Sequence, residues 1–483
     1  MQRPHDLNES QWQAVCHEGS HLLITAGPGT GKTHTLTHRI ASLIPSLKSN
    51  EKILAITFTN KAARQMQDRL AALGVDPSQL FIGTFHAFCL KLLRDYFEHT
   101  ALPKDFKVAS PEDITGFDKG TLERISRIKS SQLVISPDDE YRTYQRYLRQ
   151  NSWIDFDDIL REALLLMEDD NIAGPLRGQY RTIFVDEYQD INIVQNVFLK
   201  IMACDGVLLT AIGDANQSIY GFRGSRVELF RRFQEDFLPA RVLTLQENYR
   251  SAPSLLAASG QIMGCLDLLA RMDSAGKLVI HAAGTDRLEA EYVAHQIEKL
   301  IGGLDMMNSR RAKYSLGDIA ILYRLNAQRH VLSQALEYLG IPYQISQKPQ
   351  RKPVYSDEDV LGQNEEKIEY NVEKVSLMSV HAAKGLEFPV VFMAGCEDNL
   401  FPLDLIGMKG DPQEERRLFY VGMTRAKEHL YLTHARRRQL FGQMLMQNPS
   451  EYLSDIAEEL KAYESVRRHS SKKDQDAAQM KLF

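Results

Sequence analysis

Short apolar runs recur through the first half of the chain, at residues 21–25, 53–59, 80–86, 182–185, 207–212 and 241–245. Stretches of helical period, at 35–40, 61–73 and 191–203, lie between several of them. Strand-length apolar runs separated by helices predict a mainly parallel sheet covered by helices. The second half repeats the alternation. Its runs fall at 277–281, 318–323, 343–345, 375–380, 389–394 and 429–433, with helices at 287–300, 328–339 and 414–427. The expected fold is α/β, two lobes in tandem with a cleft between them.

Two stretches break the rhythm. Residues 94–179 read as helices, clearest at 140–150 and 156–167, and form a helical insertion in the first lobe. Residues 346–373 carry Pro349, Pro353 and charged runs with few large apolar side chains, so they read as a linker that cannot bury a core. The resulting division is 1–93 and 180–250 for the first lobe, 94–179 for its insert, 251–462 for the second lobe and 463–483 for a polar, disordered tail.

Composition narrows the class only a little. A chain of 483 residues exceeds one core, in keeping with two lobes. No apolar run is long enough to span a membrane and no charged-then-apolar leader opens the chain, so a cytoplasmic protein is expected. The cysteines are scattered with no C-x-x-C pair, which argues against structural zinc, iron–sulfur clusters and disulfides. The histidines show no metal-ligand spacing, and the acids at 155, 157 and 158 read as a helix N-cap. The net charge of −5 does not advertise nucleic acid, yet a local groove matters more than the sum.

Two motifs carry chemistry. Ala26, Gly27, Pro28, Gly29, Thr30, Gly31, Lys32 and Thr33 follow an apolar strand and open a helix. In that setting a glycine turn aims backbone N–H groups at phosphate oxygens, Lys32 reaches the β- and γ-phosphates, and the Thr33 hydroxyl holds Mg²⁺. The second motif, Val185-Asp-Glu-Tyr-Gln-Asp190, ends another apolar strand with carboxylates. Asp186 is the expected metal ligand and Glu187 the residue that orients attacking water. Together they imply nucleoside triphosphate hydrolysis with Mg²⁺.

Further motifs follow in a fixed order. They are Leu7-Asn8, Gln11 and Ala14-Val15; Ile56-Thr-Phe-Thr-Asn-Lys-Ala-Ala63; Gly83-Thr-Phe-His86; Asp155-Phe-Asp157; and the loop from Gly213 to Gly224. Glu247-Asn-Tyr-Arg-Ser251, Leu322-Tyr-Arg324 with Asn326-Ala-Gln328, His381 to Phe388, and Glu415 to Ala426 complete the set. In this order the chain resembles the UvrD/Rep/PcrA family of superfamily 1 DNA helicases from about Leu7 to Leu453.

The resemblance implies two RecA-like P-loop NTPase lobes with ATP between them, single-stranded DNA across the top, and 3′→5′ movement in DNA repair or replication. It implies that Gln11 reads the adenine edge and Tyr249 packs near the base. Gln217 senses the γ-phosphate, Arg250 and Arg425 contact it, the latter from the opposite lobe, and Glu387 meets the ribose or couples the lobes. Phe58, Asn60, His86, Tyr220, Phe222 and His381 are the candidate DNA contacts, with Phe58, Tyr220 and Phe222 expected on a face opposite the ATP motifs. His86 and His381 are read as hydrogen-bonding hinges rather than metal ligands or bases.

The sequence departs from the family pattern in three places. Asn216 stands where Asp is usual, Phe222 replaces the common Trp, and the 2B insert of the family is missing at the 346–373 linker. Loss of 2B predicts either a single-strand translocase that unwinds poorly or one relieved of a restraint at single-strand/duplex junctions. Two other readings stay open: a translocase that strips proteins from single strands, and an ATP-switched DNA-binding adaptor. The chain ends Gln479-Met-Lys-Leu-Phe483, and Gln479, Leu482 and Phe483 resemble a bacterial sliding-clamp-binding peptide, a tether to the clamp.

Overall fold

The computed structural model describes residues 3–264, 268–302, 313–345 and 373–464, together with the backbone of 354–355. Its first sheet is built from β1 (His21–Ala26), β2 (Lys52–Thr57), β3 (Leu80–Thr84), β4 (Tyr180–Val185), β5 (Leu208–Gly213) and β6 (Ala240–Leu245). They lie in the order β3-β2-β4-β5-β1-β6, every neighbouring pair parallel. Alternation along the strands sends Leu22 and Ile24 into one apolar layer and Leu23 into the other. Both faces are therefore covered, as an all-parallel sheet requires.

The second sheet repeats the design. β7 (Lys277–Ala283), β8 (Ile319–Tyr323), β9 (Tyr343–Ile345), β10 (Val375–Ser379), β11 (Phe388–Ala394), β12 (Ala426–Ala435) and β13 (Lys461–Tyr463) lie in the order β9-β10-β8-β11-β12-β7-β13. All their pairings are parallel, and Ile321 and Leu322 face opposite apolar layers. A parallel sheet ends all its strands at one edge, so each motif that leaves a strand emerges beside the others. Topology gathers the site.

The helices that matter are α1 (Glu9–Val15), α2 (Lys32–Leu43), α3 (Asn60–Ala72), α4 (Phe85–Asp95), α5 (Lys119–Ser131), α6 (Asp139–Gln150) and α7 (Phe156–Leu166). Asn8 and Gln11 form a reciprocal capping box at the start of α1. Arg39 of α2 is buried and donates to the carbonyls of Ala14, Val15 and His17 at 2.8, 3.1 and 2.7 Å, tying α1 to α2.

Four expectations shift. The run 80–86 is a strand only to Thr84, whose hydroxyl accepts from Ala87 N and starts α4, so His86 is helical. The helix expected over 414–427 spans Pro412–Met423, because Ala426 pairs with Phe388 in the sheet and tertiary pairing overrides helix propensity. The second sheet gains an unforeseen last strand that reaches one residue into the expected tail: Lys461–Tyr463 pair with Leu278–Ile280, a strand too short to show a period. Most of the 346–373 linker and the clamp-like end lie outside the described residues, but Val354 and Tyr355 pair with Ala109 and Val108 of the insert.

In the insert, Lys129 is fully buried between Asp155 at 2.6 Å and Asp158 at 2.7 Å, while Asp155 also accepts from Asp158 N as the N-cap of α7. The clasp joins α5 to α7, and sequence reading saw only the cap. Removing one partner of a buried pair leaves a charge unpaired and costs about 3–5 kcal/mol. Lys129→Ala is expected to lower stability by that amount in urea unfolding; a loss below about 1 kcal/mol, the range of an exposed pair, would show the carboxylates to be hydrated.

Candidate nucleotide site between the lobes

Leaving β1, the chain turns sharply before α2. Gly29 and Gly31 have φ of +69° and +83°, and a Cβ on them would lie 2.4 Å from Arg250 Cβ and 2.7 Å from Gln11 Nε2. Only glycine fits there. Thr30 Oγ donates to Gly27 O at 2.8 Å and closes the turn, so Lys32 and Thr33 occupy the first turn of α2 at an edge rich in unpaired N–H groups.

Acidic residues leave β4 beside this loop. Lys32 Nζ lies 3.6 Å from a Glu187 carboxylate oxygen. Glu187 has φ +51°, an uncommon conformation for a residue with a side chain, and such strain is held only where surroundings enforce it. Gln189 supplies part of that enforcement, donating to the Glu187 carboxylate and accepting from Asp214 N at 3.0 Å. Burial works against ionised Glu187, yet Lys32, Lys384 and Arg425 hold its carboxyl down to about 2. For Asp186 the balance reverses: burial, then the Glu187 charge, pushes it up to about 7. Gln217 Nε2 donates to Asp214 at 2.8 Å, from the loop after β5.

The second lobe supplies cations. Lys384 pairs with buried Asp190 and donates to Gln217 O at 2.8 Å, crossing between the lobes. Arg425, 1% exposed, spends its guanidinium on Val421 O, Leu386 O and Thr424 Oγ at 2.9–3.0 Å, and burial, then Arg250, lower its pKa to about 9. Arg250 lies 2.6 Å from Glu387, which also holds Lys427 at 2.7 Å. Asn248 joins the lobes: it donates to Pro28 O at 2.6 Å and accepts from Arg250 N and Ser251 N, while Ser251 Oγ donates to Ala426 O at 2.9 Å.

These residues surround one cavity of about 480 Å³. Pro28, Gly29, Gly31, Lys32, Thr33, Asp186, Glu187, Gln217, Tyr249, Arg250, Glu387 and Arg425 all line it, as do Asp190, Lys384 and Lys427. The family model described as the UvrD/REP helicase N-terminal domain matches residues 7–139 and 136–238, and the UvrD-like helicase C-terminal domain matches 243–350 and 357–437. The chain belongs to the UvrD-like DNA helicases.

A probable DNA helicase II homolog of Rickettsia felis is 29% identical, with 97% of this chain and 98% of that protein covered. The ATP-dependent DNA helicase PcrA of Staphylococcus aureus is 27% identical, with 97% and 88% covered. The alignment with the Rickettsia felis protein runs over 653 residues, more than the 483 of this helicase, so that relative carries long stretches absent here.

The remaining predicted residues of this helicase fall elsewhere. Ala26 ends β1 in the core; Gly27 and Thr30 close the loop. Gln11 is 2% exposed behind the loop, accepting from Asn8 N and donating to Thr30 O at 3.0 Å, and is not among the cavity-lining residues. Tyr249 is half exposed, its hydroxyl accepting from Asn8 and donating to Glu247.

Phe58 and Tyr220 do not lie on an opposite face. They line the same cavity, ring centroids 5.0 Å apart and nearly parallel, because β2 and β5 end at the same edge as β1. Phe222 is 54% exposed, 6.0 Å from the Tyr220 ring and 5.8 Å from His381. Asn60 opens α3 beside them, and His86 meets Phe156 edge-on at 5.6 Å. Burial pushes His86 down to about 4 and His381, beside Arg324, Arg223 and Lys384, down to about 3, so both are neutral near pH 7.

Sequence reasoning passed over Asp190, Gln189, Asn248 and Lys384 as site residues, although all four stand inside the motifs it quoted. Their burial and pairing are three-dimensional facts. The Thr33 hydroxyl and the under-compensated Asp186 carboxylate are oxygen donors of the kind Mg²⁺ takes. A cation on Asp186 must displace a proton below pH 7. Affinity for Mg²⁺, measured calorimetrically, is expected to be about tenfold weaker at pH 6 than at pH 8; equal affinities would remove Asp186 from the ligand set.

Proposed function

We propose that this helicase hydrolyses ATP in the cavity between its lobes and moves 3′→5′ along single-stranded DNA, opening duplexes during repair or replication. One observation carries the reading: Lys32, Thr33, Asp186 and Glu187 of the first lobe face Lys384 and Arg425 of the second across a single cavity. Phosphoryl transfer needs positioning and charge neutralisation more than covalent chemistry, and both lobes supply it here.

Triphosphate binding rearranges existing ion pairs. Lys32 leaves Glu187 for phosphate oxygens, and the freed carboxylate, held acidic by the surrounding cations, orients a water. Mg²⁺ on Thr33 and Asp186 would neutralise phosphate charge. Gln217 reports the γ-phosphate, and its backbone carbonyl, held by Lys384, passes that report to the second lobe. Arg250, freed from Glu387, and Arg425 complete the neutralisation as the lobes close.

Phe222 with Arg223 offers an exposed face for base stacking, worth about 1–3 kcal/mol per base. Opening a base-pair step costs about 1.4 kcal/mol on average. Stacking therefore holds a frayed base, and closure of the lobes supplies direction. Single strands and single-strand/duplex junctions are the proposed DNA partners, with the sliding clamp a further one through Gln479, Leu482 and Phe483. The proposed compartment is the cytoplasm, and among the described residues no helix is long and apolar enough to cross a membrane.

Arg425→Ala is expected to leave ATP binding within about threefold while DNA-stimulated turnover falls by about 10³ or more, the scale of a lost arginine finger. Turnover within tenfold of wild type would dismiss that role. In strand displacement, duplexes with 3′ single-stranded tails should be opened and 5′-tailed ones left intact. Preference for 5′ tails reverses the direction, and ATP hydrolysis without displacement of either selects the protein-stripping translocase.

A further inference from the structure

Where the N-terminal arm meets α2, at the margin of the cleft that His34 also lines, three potential metal ligands converge. His34 and His38 stand one turn apart on α2, and both Nε2 atoms approach the same oxygen of Asp6, at 3.2 and 3.3 Å. The rings are 4.5 Å apart at a steep angle, and the Asp6 backbone carbonyl lies 3.3 Å from His34 Nε2. All three ligand atoms fall within 4.8 Å of one another. Sequence reading took the histidines as lacking ligand spacing; their i, i+4 placement becomes a pair only when α2 forms and Asp6 arrives from another element.

We propose that Asp6, His34 and His38 bind one divalent ion of the zinc class, at a site separate from that of Mg²⁺. Two imidazole nitrogens and a carboxylate suit Zn²⁺, with water completing a tetrahedron, whereas Mg²⁺ favours oxygen donors. The scaffold is prepared. Two ligands come from one helix turn, and the arm carrying the third is anchored by buried Leu7 and by the Arg39 bonds that fix α1 to α2. The side chains of His38 and Asp6 are 13% and 58% exposed, which leaves an open approach for metal and water. Bound zinc would staple the arm bearing Asn8 and Gln11 to the helix that follows the phosphate loop.

The test is a zinc titration of the metal-stripped full chain in excess Mg²⁺, by calorimetry, beside Asp6→Asn and His38→Ala. Wild type should take up one Zn²⁺ with micromolar or tighter affinity, and each variant should bind at least about tenfold more weakly, since losing even an outer-shell partner of a ligand costs about 10–100-fold. Co²⁺ should give visible d–d bands in wild type that both variants lose. Asp6→Asn, at an exposed position, should melt as wild type does without metal, so its loss of binding reports the site. Zinc binding equal in all three proteins, or no uptake by wild type at about 100 μM free Zn²⁺, would reduce the cluster to hydrogen bonds alone.

Discussion

Charges lining the cavity between two lobes need partners, and in this helicase they find one another. Lys32 leans on Glu187, Lys384 on Asp190, and Arg250 with Lys427 on Glu387. On the proposed function, a triphosphate entering the cavity would compete with carboxylates already in place. The buried Lys384–Asp190 pair recovers little more than its desolvation cost, and the part-exposed pairs at Glu187 and Glu387 are weak for the opposite reason, solvent screening. Pairs of such small net worth would let a nucleotide, on the proposed function, change the contacts of both lobes at little cost.

Parallel strands make that competition possible. Each sheet delivers its loops to one edge, and the two edges face a common cavity. The same geometry brings Phe58 and Tyr220 to this cavity, so the stacked pair of rings is continuous with its acidic residues through Lys384, whose ammonium lies 4.9 Å from the Tyr220 ring centre. Exposed Phe222 sits one ring further out. The proposed sites of nucleotide chemistry and base stacking are thus separated by a few side chains rather than by the thickness of a lobe.

Much of this was legible in the sequence. Alternating apolar runs located twelve of the strands in the two sheets, because strands buried on both faces leave a strong local signal. The glycine turn and the strand-ending acids were legible because their chemistry needs fixed residue types at fixed spacing. Lys461–Tyr463 was not, since a three-residue strand owes its state to Leu278–Ile280. Nor was the Lys129 clasp, whose partners lie 26 and more residues away and meet only in the packed insert. Nor were the bonds of Gln11, whose amide is engaged by Asn8 and Thr30 at the back of the glycine turn.

Asn248 gives the joint between the lobes an unusual property. Its side chain holds a carbonyl of the glycine turn and, at the same time, the amides that lead into the second lobe. Hinge and turn therefore travel together. On the proposed function, a motion that parts the lobes would tug on the glycine turn through this side chain, and release of the spent nucleotide would be geared to reopening.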